Sequence, residues 1–214
     1  MRIQRPDDPA PGSKYPQYKP HLQPLFRHRC AYCQTHEKWC GGFEGMTVDH
    51  FLPRDRYQHL LHEWSNLYYG CTACNCYYKK DHPTEAEEAA GDRFVDPCRE
   101  DPDDHFRLVR CPRTNQLCCI KALSDAGRFS LKILKLHVRP QLRDHWRELE
   151  LAERKERRIL DSIDTSIRNL NAMIEKNGAS SEATSVLSCL SEQRNAALDR
   201  LDDIVSQRPF PAEL

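Results

Sequence analysis

Three stretches decide the fold: CAYC at residues 30–33, TVDHFLPR at residues 47–54 and WSNLYYGCTACN at residues 64–75. The first and last contain Cys-x-x-Cys pairs, Cys30/Cys33 and Cys71/Cys74, with 37 residues between them. Each pair can supply two thiolates to one tetrahedral zinc ion, and four protein ligands leave no open position for a substrate. The spacing therefore predicts one structural zinc site. The alternatives are ordinary buried thiols or a redox pair.

Polar residues lie between and directly after these cysteine pairs. They are a carboxylate and an imidazole at Asp49-His50, and two amides at Asn66 and Asn75. Each residue alone is more typical of a turn, a satisfied core pair or a helix cap. Together, in this order around a zinc-held core, they indicate a site that performs chemistry.

These motifs resemble the HNH endonuclease family in its zinc-stabilised form, over about residues 28–97. The resemblance implies a treble-clef-like ββα-metal fold, in which a two-stranded hairpin and a helix hold one catalytic divalent ion. The expected class is α+β, with this nuclease core followed by a C-terminal antiparallel α-helical hairpin. Residues 94–97 and 136–147 are also similar to nucleases that accompany ATPases in bacterial anti-phage systems, such as Septu-type and retron-linked ones.

Carried over by position, the resemblance implies that His50 is the general base, that Asp49 and Asn75 are metal ligands, and that Asn66 braces the catalytic loop. The third family position is often histidine, and here it is Asn75, the HNN form. An amide oxygen is a hard ligand, which favours magnesium, or manganese, over softer transition metals. The expected activity is magnesium-dependent hydrolysis of phosphodiester bonds in DNA.

This chemistry needs these residue types. Phosphodiester hydrolysis places extra negative charge on the phosphate oxygens and expels a poor leaving group, and a divalent cation relieves both difficulties. An imidazole exchanges protons near neutral pH and can activate a water molecule. His62 or Lys79 could assist the leaving group, although both residue types are also common on solvated surfaces.

Basic residues flank this site in the sequence and are expected to contact the nucleic-acid backbone: Arg54, Arg56, Lys79 and Lys80. Tyrosines at 57, 68, 69, 77 and 78 lie among them and could stack on bases, with Tyr68 and Tyr69 more typical of the core. Nothing in the pattern reads a base sequence. We therefore expect contacts mainly to the backbone.

The composition excludes several classes of protein. The 214 residues are 39% hydrophobic and 30% charged, which suits one globular domain with an appendage. Lys plus Arg and Asp plus Glu total 32 each, so no global positive charge attracts nucleic acid. No apolar run is long enough to span a membrane, and the N-terminal residues are too polar for a signal peptide. We expect a cytoplasmic protein, in which eleven cysteines indicate metal binding rather than disulfides.

The chain divides into three predicted parts. Residues 1–20 form a proline-rich extended arm, residues 21–140 form the nuclease domain, and residues 141–214 form a helical hairpin for oligomerisation or for docking a partner such as an ATPase. Apolar residues recur at helical spacing on both helices of this hairpin, whose turn is at Asn177-Gly178. We also expect a helix at 22–26, a strand at 46–50, a helix beginning at 75, a loop over 84–104, a hairpin over 105–110 and 116–120, and helix beyond Gly127.

Two readings without catalysis stay open. One is a zinc-bearing nucleic-acid-binding module in which Asp49 and His50 only support the zinc core. The other is an adaptor whose helical hairpin binds a partner. A second metal site could also involve Cys98, Cys111, Cys118 and Cys119 with His105, although adjacent cysteines at 118–119 fit a tetrahedron poorly and buried thiols explain them equally well.

Overall fold

The computed structural model describes residues 2–78, 82–113, 115 and 117–212. The chain forms two compact units, Met1–His145 with Pro209–Leu214, and Trp146–Arg208. The described residues contain two two-stranded sheets and several helices, the two longest of which lie in the C-terminal part of the sequence. The α+β class is therefore confirmed. The predicted domain limits at residues 20 and 140 stay predictions.

The first sheet pairs β1, Met46–His50, with β2, Leu67–Cys71, in antiparallel fashion. The register places Thr47 opposite Gly70 and Asp49 opposite Tyr68. The predicted strand at 46–50 is confirmed. All five residues of β2 are buried, so β2 lies in the core of the first unit. A π-helical segment, Ala73–Tyr78, follows β2 directly and begins two residues before the predicted helix at 75.

The N-terminal arm packs onto the same unit. A short 3-10 turn, Tyr15–Tyr18, leads into α1, Lys19–Leu25, so regular structure begins earlier than the predicted helix at 22. The Arg5 guanidinium donates hydrogen bonds to the carbonyls of Trp64 (2.8 Å) and Leu67 (2.6 Å). These bonds attach the arm to the segment that enters β2.

The second sheet pairs β3, Phe106–Arg110, with β4, Leu117–Ala122, which confirms the predicted hairpin. The expectation of a loop over 84–104 is wrong in part, because α2 occupies Glu85–Ala89. Thr84 and Glu87 form a capping box, and such reciprocal bonds stabilise a helix start in a polar sequence. The next helix, α3, spans Asp125–Ile133 and begins two residues before Gly127.

Two long helices, α4 (Pro140–Asn177) and α5 (Ser181–Ser206), make up the second unit. This unit begins at Trp146, within α4. Arg194 contacts Asp164 at 2.7 Å and Arg200 contacts Glu156 at 3.1 Å. The partner number falls as the α5 number rises, so the two helices are antiparallel. The predicted end of the first helix at residue 177 is confirmed, and Gly178 has the positive φ of 86° that favours glycine there. None of the helices in the described parts of the chain is both apolar and long enough to cross a membrane.

Candidate metal centre and adjacent polar cluster

Cys30, Cys33, Cys71 and Cys74 come together in the first unit and are called the cysteine cluster below. All four are buried, and their sulfur atoms lie within 4.8 Å of one another. Cys30 and Cys33 lie on a turn after α1, which the Ala31 amide fastens to β2 through a 2.8 Å bond to the Tyr69 carbonyl. Cys71 ends β2 and Cys74 lies in the segment Ala73–Tyr78. Two separate segments of the chain thus bring their sulfurs to one point.

Hydrogen bonds to the sulfur atoms fit this cluster to a metal. The Cys71 amide donates to Cys30 Sγ at 3.3 Å, and the Cys74 amide donates to Cys71 Sγ at 3.4 Å. Hydrogen bonds with Cys30, and then with Cys71 and Cys74, lower the pKa of Cys33 well below its usual value, whereas the hydrogen bond with Cys30 raises the pKa of Cys71 and burial raises that of Cys74. Four thiolate donors at these separations can hold a structural metal such as zinc.

A buried cation accompanies the cysteine cluster. The Arg139 side chain is 4% exposed, and its guanidinium donates to Cys74 Sγ at 3.2 Å and from Nε to the Leu134 carbonyl at 2.8 Å. A divalent ion with four thiolates carries net negative charge in a medium that solvates charge poorly. The Arg139 charge would offset part of it when the ion is bound.

Asp49, His50, Asn66 and Asn75, here called the polar cluster, surround the same β1–β2 hairpin. The Asp49 carboxylate is 6% exposed and accepts a hydrogen bond at Oδ2 from the hydroxyl of Tyr32. Burial, and then the Asp49 charge, raise the pKa of Tyr32 well above its usual value, so the phenol stays a donor. Tyr32 lies between two cysteines of the cluster.

The His50 imidazole is held by a backbone carbonyl and an aromatic ring. His50 is 9% exposed, and its Nε2 is 2.9 Å from the Leu61 carbonyl oxygen. A carbonyl can only accept, so Nε2 carries the hydrogen, and in the neutral ring the lone pair is on Nδ1. The Tyr15 ring packs edge-on against the imidazole, with centroids 4.8 Å apart.

Asn66 holds together the loop between β1 and β2. Its Oδ1 accepts from the Leu52 amide at 2.8 Å, and its Nδ2 donates to the carbonyls of Leu52 (3.2 Å) and Leu60 (3.4 Å). The Asn66 side chain is 4% exposed. A buried amide with three bonds to one loop fixes the path of the residues that directly follow His50.

Asn75 reaches the hairpin from the segment after β2. Its Nδ2 donates to Thr47 Oγ1 at 2.9 Å. A Cβ added at Gly70 would lie 3.4 Å from Asp49 Cβ and 3.7 Å from Asn75 Cβ. Asp49 and Asn75 therefore lie on the same side of the hairpin, each within ordinary contact distance of the position that a Gly70 Cβ would take.

The structure describes some of the residues that are predicted to contact nucleic acid. Arg54 and Arg56 are exposed, and Arg56 donates to the Pro83 carbonyl at 2.9 Å. Lys79 and Lys80 lie outside the described residues. His62 is exposed and accepts the Tyr15 amide at Nδ1 (3.2 Å). Tyr68 and Tyr69 are buried core residues.

The described members of the second cysteine group do not converge as a metal site. Within the described residues, the cysteine cluster is the one group of potential ligands with metal-binding separations. Cys98, Cys111 and Cys119 are partly buried thiols, and the side chain of Cys118 lies outside what the structure describes. His105 instead bonds Ser124 at 2.5 Å and Glu100 at 3.1 Å.

Three residues of this region are absent from the sequence-based expectations for the site: Tyr15, Tyr32 and Arg139. The position of Tyr32 inside Cys-x-x-Cys is the one local signal among them. Tyr15 meets His50, and Arg139 meets Cys74, only through the tertiary fold. No pattern of nearby residues predicts such contacts.

Two curated proteins are similar to this chain. "Septu protein PtuB" of Bacillus mycoides (strain KBAB4) is 26% identical over 168 residues, which cover 67% of this chain and 55% of that protein. "Septu protein PtuB" of Bacillus thuringiensis is 25% identical over 162 residues, which cover 73% and 56% respectively. The chain thus spans about half the length of these relatives. They support the resemblance to Septu-type proteins. No family model and no solved structure matches the chain.

Proposed function

We propose that this protein is a metal-dependent HNH-type endonuclease that hydrolyses DNA phosphodiester bonds in a bacterial anti-phage defence system. The observation that carries the proposal is the placement of Asp49 and Asn75, whose Cβ atoms both lie within 4 Å of the position a Gly70 Cβ would take, beside the cysteine cluster. The similarity to two Septu proteins supports the defence context. The order of β1, β2 and the segment Ala73–Tyr78 agrees with a ββα-metal arrangement.

Each member of the polar cluster has a task in this proposal. Asp49 and Asn75 offer oxygen ligands, which magnesium and manganese prefer. When bound, such a cation supplies Lewis-acid stabilisation of the charge that develops on the phosphate. His50 takes a proton from water at Nδ1, because its Nε2 hydrogen is committed to the Leu61 carbonyl. Asn66 keeps the loop after His50 in place.

The cysteine cluster has a structural task. Zinc held by its four thiolates would join the turn after α1 to the end of β2, the two segments from which the polar cluster is built. Arg54, Arg56, Lys79 and Lys80 would contact the nucleic-acid backbone, which carries no sequence information. DNA recognition then depends on shape or on a partner.

Partner binding is assigned to the second unit. Leu151, Met173 and Val186 are apolar residues of its helices with exposures of 56%, 59% and 50%. Exposed apolar side chains on a helical surface suit contact with another protein. We propose that this surface binds a defence partner, an ATPase or a second copy of this chain.

The test measures how fast wild type and His50→Ala cleave a panel of substrates in the presence of magnesium. Each measurement is made with and without the proteins whose genes neighbour the gene of this protein. The panel contains double-stranded, single-stranded, nicked and modified DNA, and RNA. A positioned general base raises a reaction rate about 10²- to 10⁴-fold. The cleavage rate of His50→Ala should therefore fall by that factor, while its zinc content and DNA affinity stay at wild-type levels. His59→Ala, an exposed histidine of the same loop, is the matched control.

Equal cleavage rates for wild type and His50→Ala would contradict the assignment. Binding without any cleavage would favour a non-catalytic zinc module. If His50→Ala lost zinc or failed to fold, His50→Asn would replace it, because asparagine is closer in shape and cannot take the proton.

A further inference from the structure

Tyr32 connects the two clusters. Its neighbours in sequence, Cys30 and Cys33, belong to the cysteine cluster, and its hydroxyl donates to Asp49 of the polar cluster. The Tyr32 side chain is 4% exposed. A single buried side chain thus joins the turn that would hold zinc to a carboxylate that would hold magnesium.

Backbone hydrogen bonds on both sides of Tyr32 fix the position of its main chain. The Gln34 amide donates to the Cys30 carbonyl at 2.9 Å, and the Ala31 amide donates to the Tyr69 carbonyl at 2.8 Å. The Tyr32 ring packs edge-on against Phe94, with centroids 6.5 Å apart. With both ends of the turn tied to the cysteine cluster, little freedom remains for the hydroxyl.

The hydrogen bond in turn fixes the rotation of Asp49. The carboxylate torsion of aspartate is broad when nothing restrains it. A hydroxyl that donates to an ionised carboxylate makes a strong, charge-assisted bond. The Tyr32 ring also lies near both proposed ligands, since a Cβ at Gly70 would be 3.5 Å from Tyr32 Cε2, 3.4 Å from Asp49 Cβ and 3.7 Å from Asn75 Cβ.

Other buried tyrosines make similar bonds without this location. Tyr18 is fully buried, and its hydroxyl oxygen lies 2.8 Å from Asp8 Oδ2 and 2.9 Å from the Ala10 carbonyl oxygen, either of which can accept its one hydrogen. Neither partner belongs to either cluster. Removing the hydroxyl of Tyr18 therefore costs a bond of the same kind without touching a proposed ligand, which makes it the matched control.

We infer that Tyr32 is a positioning residue that transmits the geometry of the cysteine cluster to Asp49. The inference rests on the proposed function, because it takes Asp49 as a ligand of the exchangeable cation. Groups that hydrogen-bond a metal ligand commonly change metal affinity by about 10- to 100-fold when they are lost. In this inference the cysteine turn positions the Tyr32 hydroxyl, and the Tyr32 hydroxyl positions the Asp49 carboxylate.

The experiment titrates Mn²⁺ into the full-length, zinc-loaded protein and follows free Mn²⁺ by electron paramagnetic resonance. Wild type, Tyr32→Phe, Tyr18→Phe and Asp49→Ala are compared, and zinc content is measured for each. We expect Tyr32→Phe to raise the Kd for Mn²⁺ about tenfold with zinc content unchanged. Tyr18→Phe should keep the wild-type Kd.

The outcomes separate the inference from the proposed function. A wild-type Kd in Tyr32→Phe, together with weakened binding in Asp49→Ala, overturns the inference and leaves the proposed function in place. Equal Kd values for wild type and Asp49→Ala overturn the proposed ligand itself. If Tyr32→Phe loses zinc, wild type loaded with Cd²⁺ decides: a changed Kd for Mn²⁺ supports the inference, because the larger ion alters the cysteine turn, and an unchanged Kd overturns it.

Discussion

The cysteine cluster and the polar cluster both adjoin the β1–β2 hairpin and differ in how their side chains are held. The four cysteines are buried, and their sulfur atoms converge on one point. In the polar cluster Asn75 is half-buried, and Asp49, His50 and Asn66 are each bonded to a group outside the cluster. A converged, closed donor set suits a permanent structural ion. A set held in place from outside suits a cation that exchanges and a substrate that must enter.

Breaking the cysteine cluster should have the largest effect. Cys71→Ser combined with Cys74→Ser removes two ligands, and structural zinc in small domains contributes about 10–16 kcal/mol of apparent binding free energy. We expect about one zinc ion per chain in wild type and none in the variant, with loss of the cooperative thermal transition of the first unit. Elemental analysis and circular dichroism measure both quantities.

Cys76→Ser is the control, because Cys76 is exposed and lies outside the cysteine cluster. It should keep its zinc and its thermal transition. A double variant that retained zinc and the wild-type Tm would show that these cysteines are ordinary buried thiols.

Breaking the support of the polar cluster should have a smaller effect. Asn66→Ala removes three hydrogen bonds to the loop after β1 and leaves buried backbone groups without their partners. We expect a loss of about 2–4 kcal/mol in the free energy of unfolding, measured in urea. Gln58→Ala, an exposed position in the same loop, should lose less than about 0.5 kcal/mol. A loss that small in Asn66→Ala would mean that the loop does not depend on it.

Removing the positive charge of Arg139 should speed the release of zinc from the cysteine cluster without preventing zinc binding. Arg139→Met keeps much of the side-chain volume and deletes the donor to Cys74 Sγ. We expect zinc transfer to a chromogenic chelator to become about tenfold faster, since groups around a metal site tune affinity on that scale. Arg143→Met, at an exposed position of α4, is the control. Equal transfer rates in all three proteins would show that Arg139 does not stabilise the bound zinc.

At neutral pH the smallest expected effect concerns another buried histidine, His145, near the cysteine cluster. Burial, and then the cations Lys38 and Arg29, lower the pKa of His145 to about 4. An unfolded histidine has a pKa of about 6.5, so between these values the unfolded chain takes up a proton that the native state refuses. The contribution of His145 to stability is therefore present above pH 6.5 and is lost as the pH falls toward 4.

His145→Phe removes this proton linkage. We expect its Tm to rise relative to wild type as the pH is lowered from 7.5 to 5, while DNA cleavage, unlike that of His50→Ala, persists. His59→Gln, at an exposed position, should show no such trend. A Tm difference between His145→Phe and wild type that did not change with pH would contradict the assignment.

Much of this arrangement follows from local sequence. The doubled Cys-x-x-Cys spacing predicts the meeting of the four thiols, and the apolar spacing along α4 and α5 predicts both helices. In contrast, β2 is buried at every position and has no alternation to reveal it. The contacts from Tyr32 to Asp49 and from Arg139 to Cys74 span 17 and 65 residues, so only the folded chain brings them together.

The division of labour between the two clusters is tested most directly by chelation. The protein is dialysed against a mild chelator, its zinc is counted, and DNA cleavage is measured before and after magnesium is added back. We expect cleavage to disappear while about one zinc ion per chain is retained, and to return with magnesium alone, because the exchangeable cation and the buried zinc have different proposed ligands. Cleavage that persisted without added magnesium, or that followed zinc content instead, would contradict it.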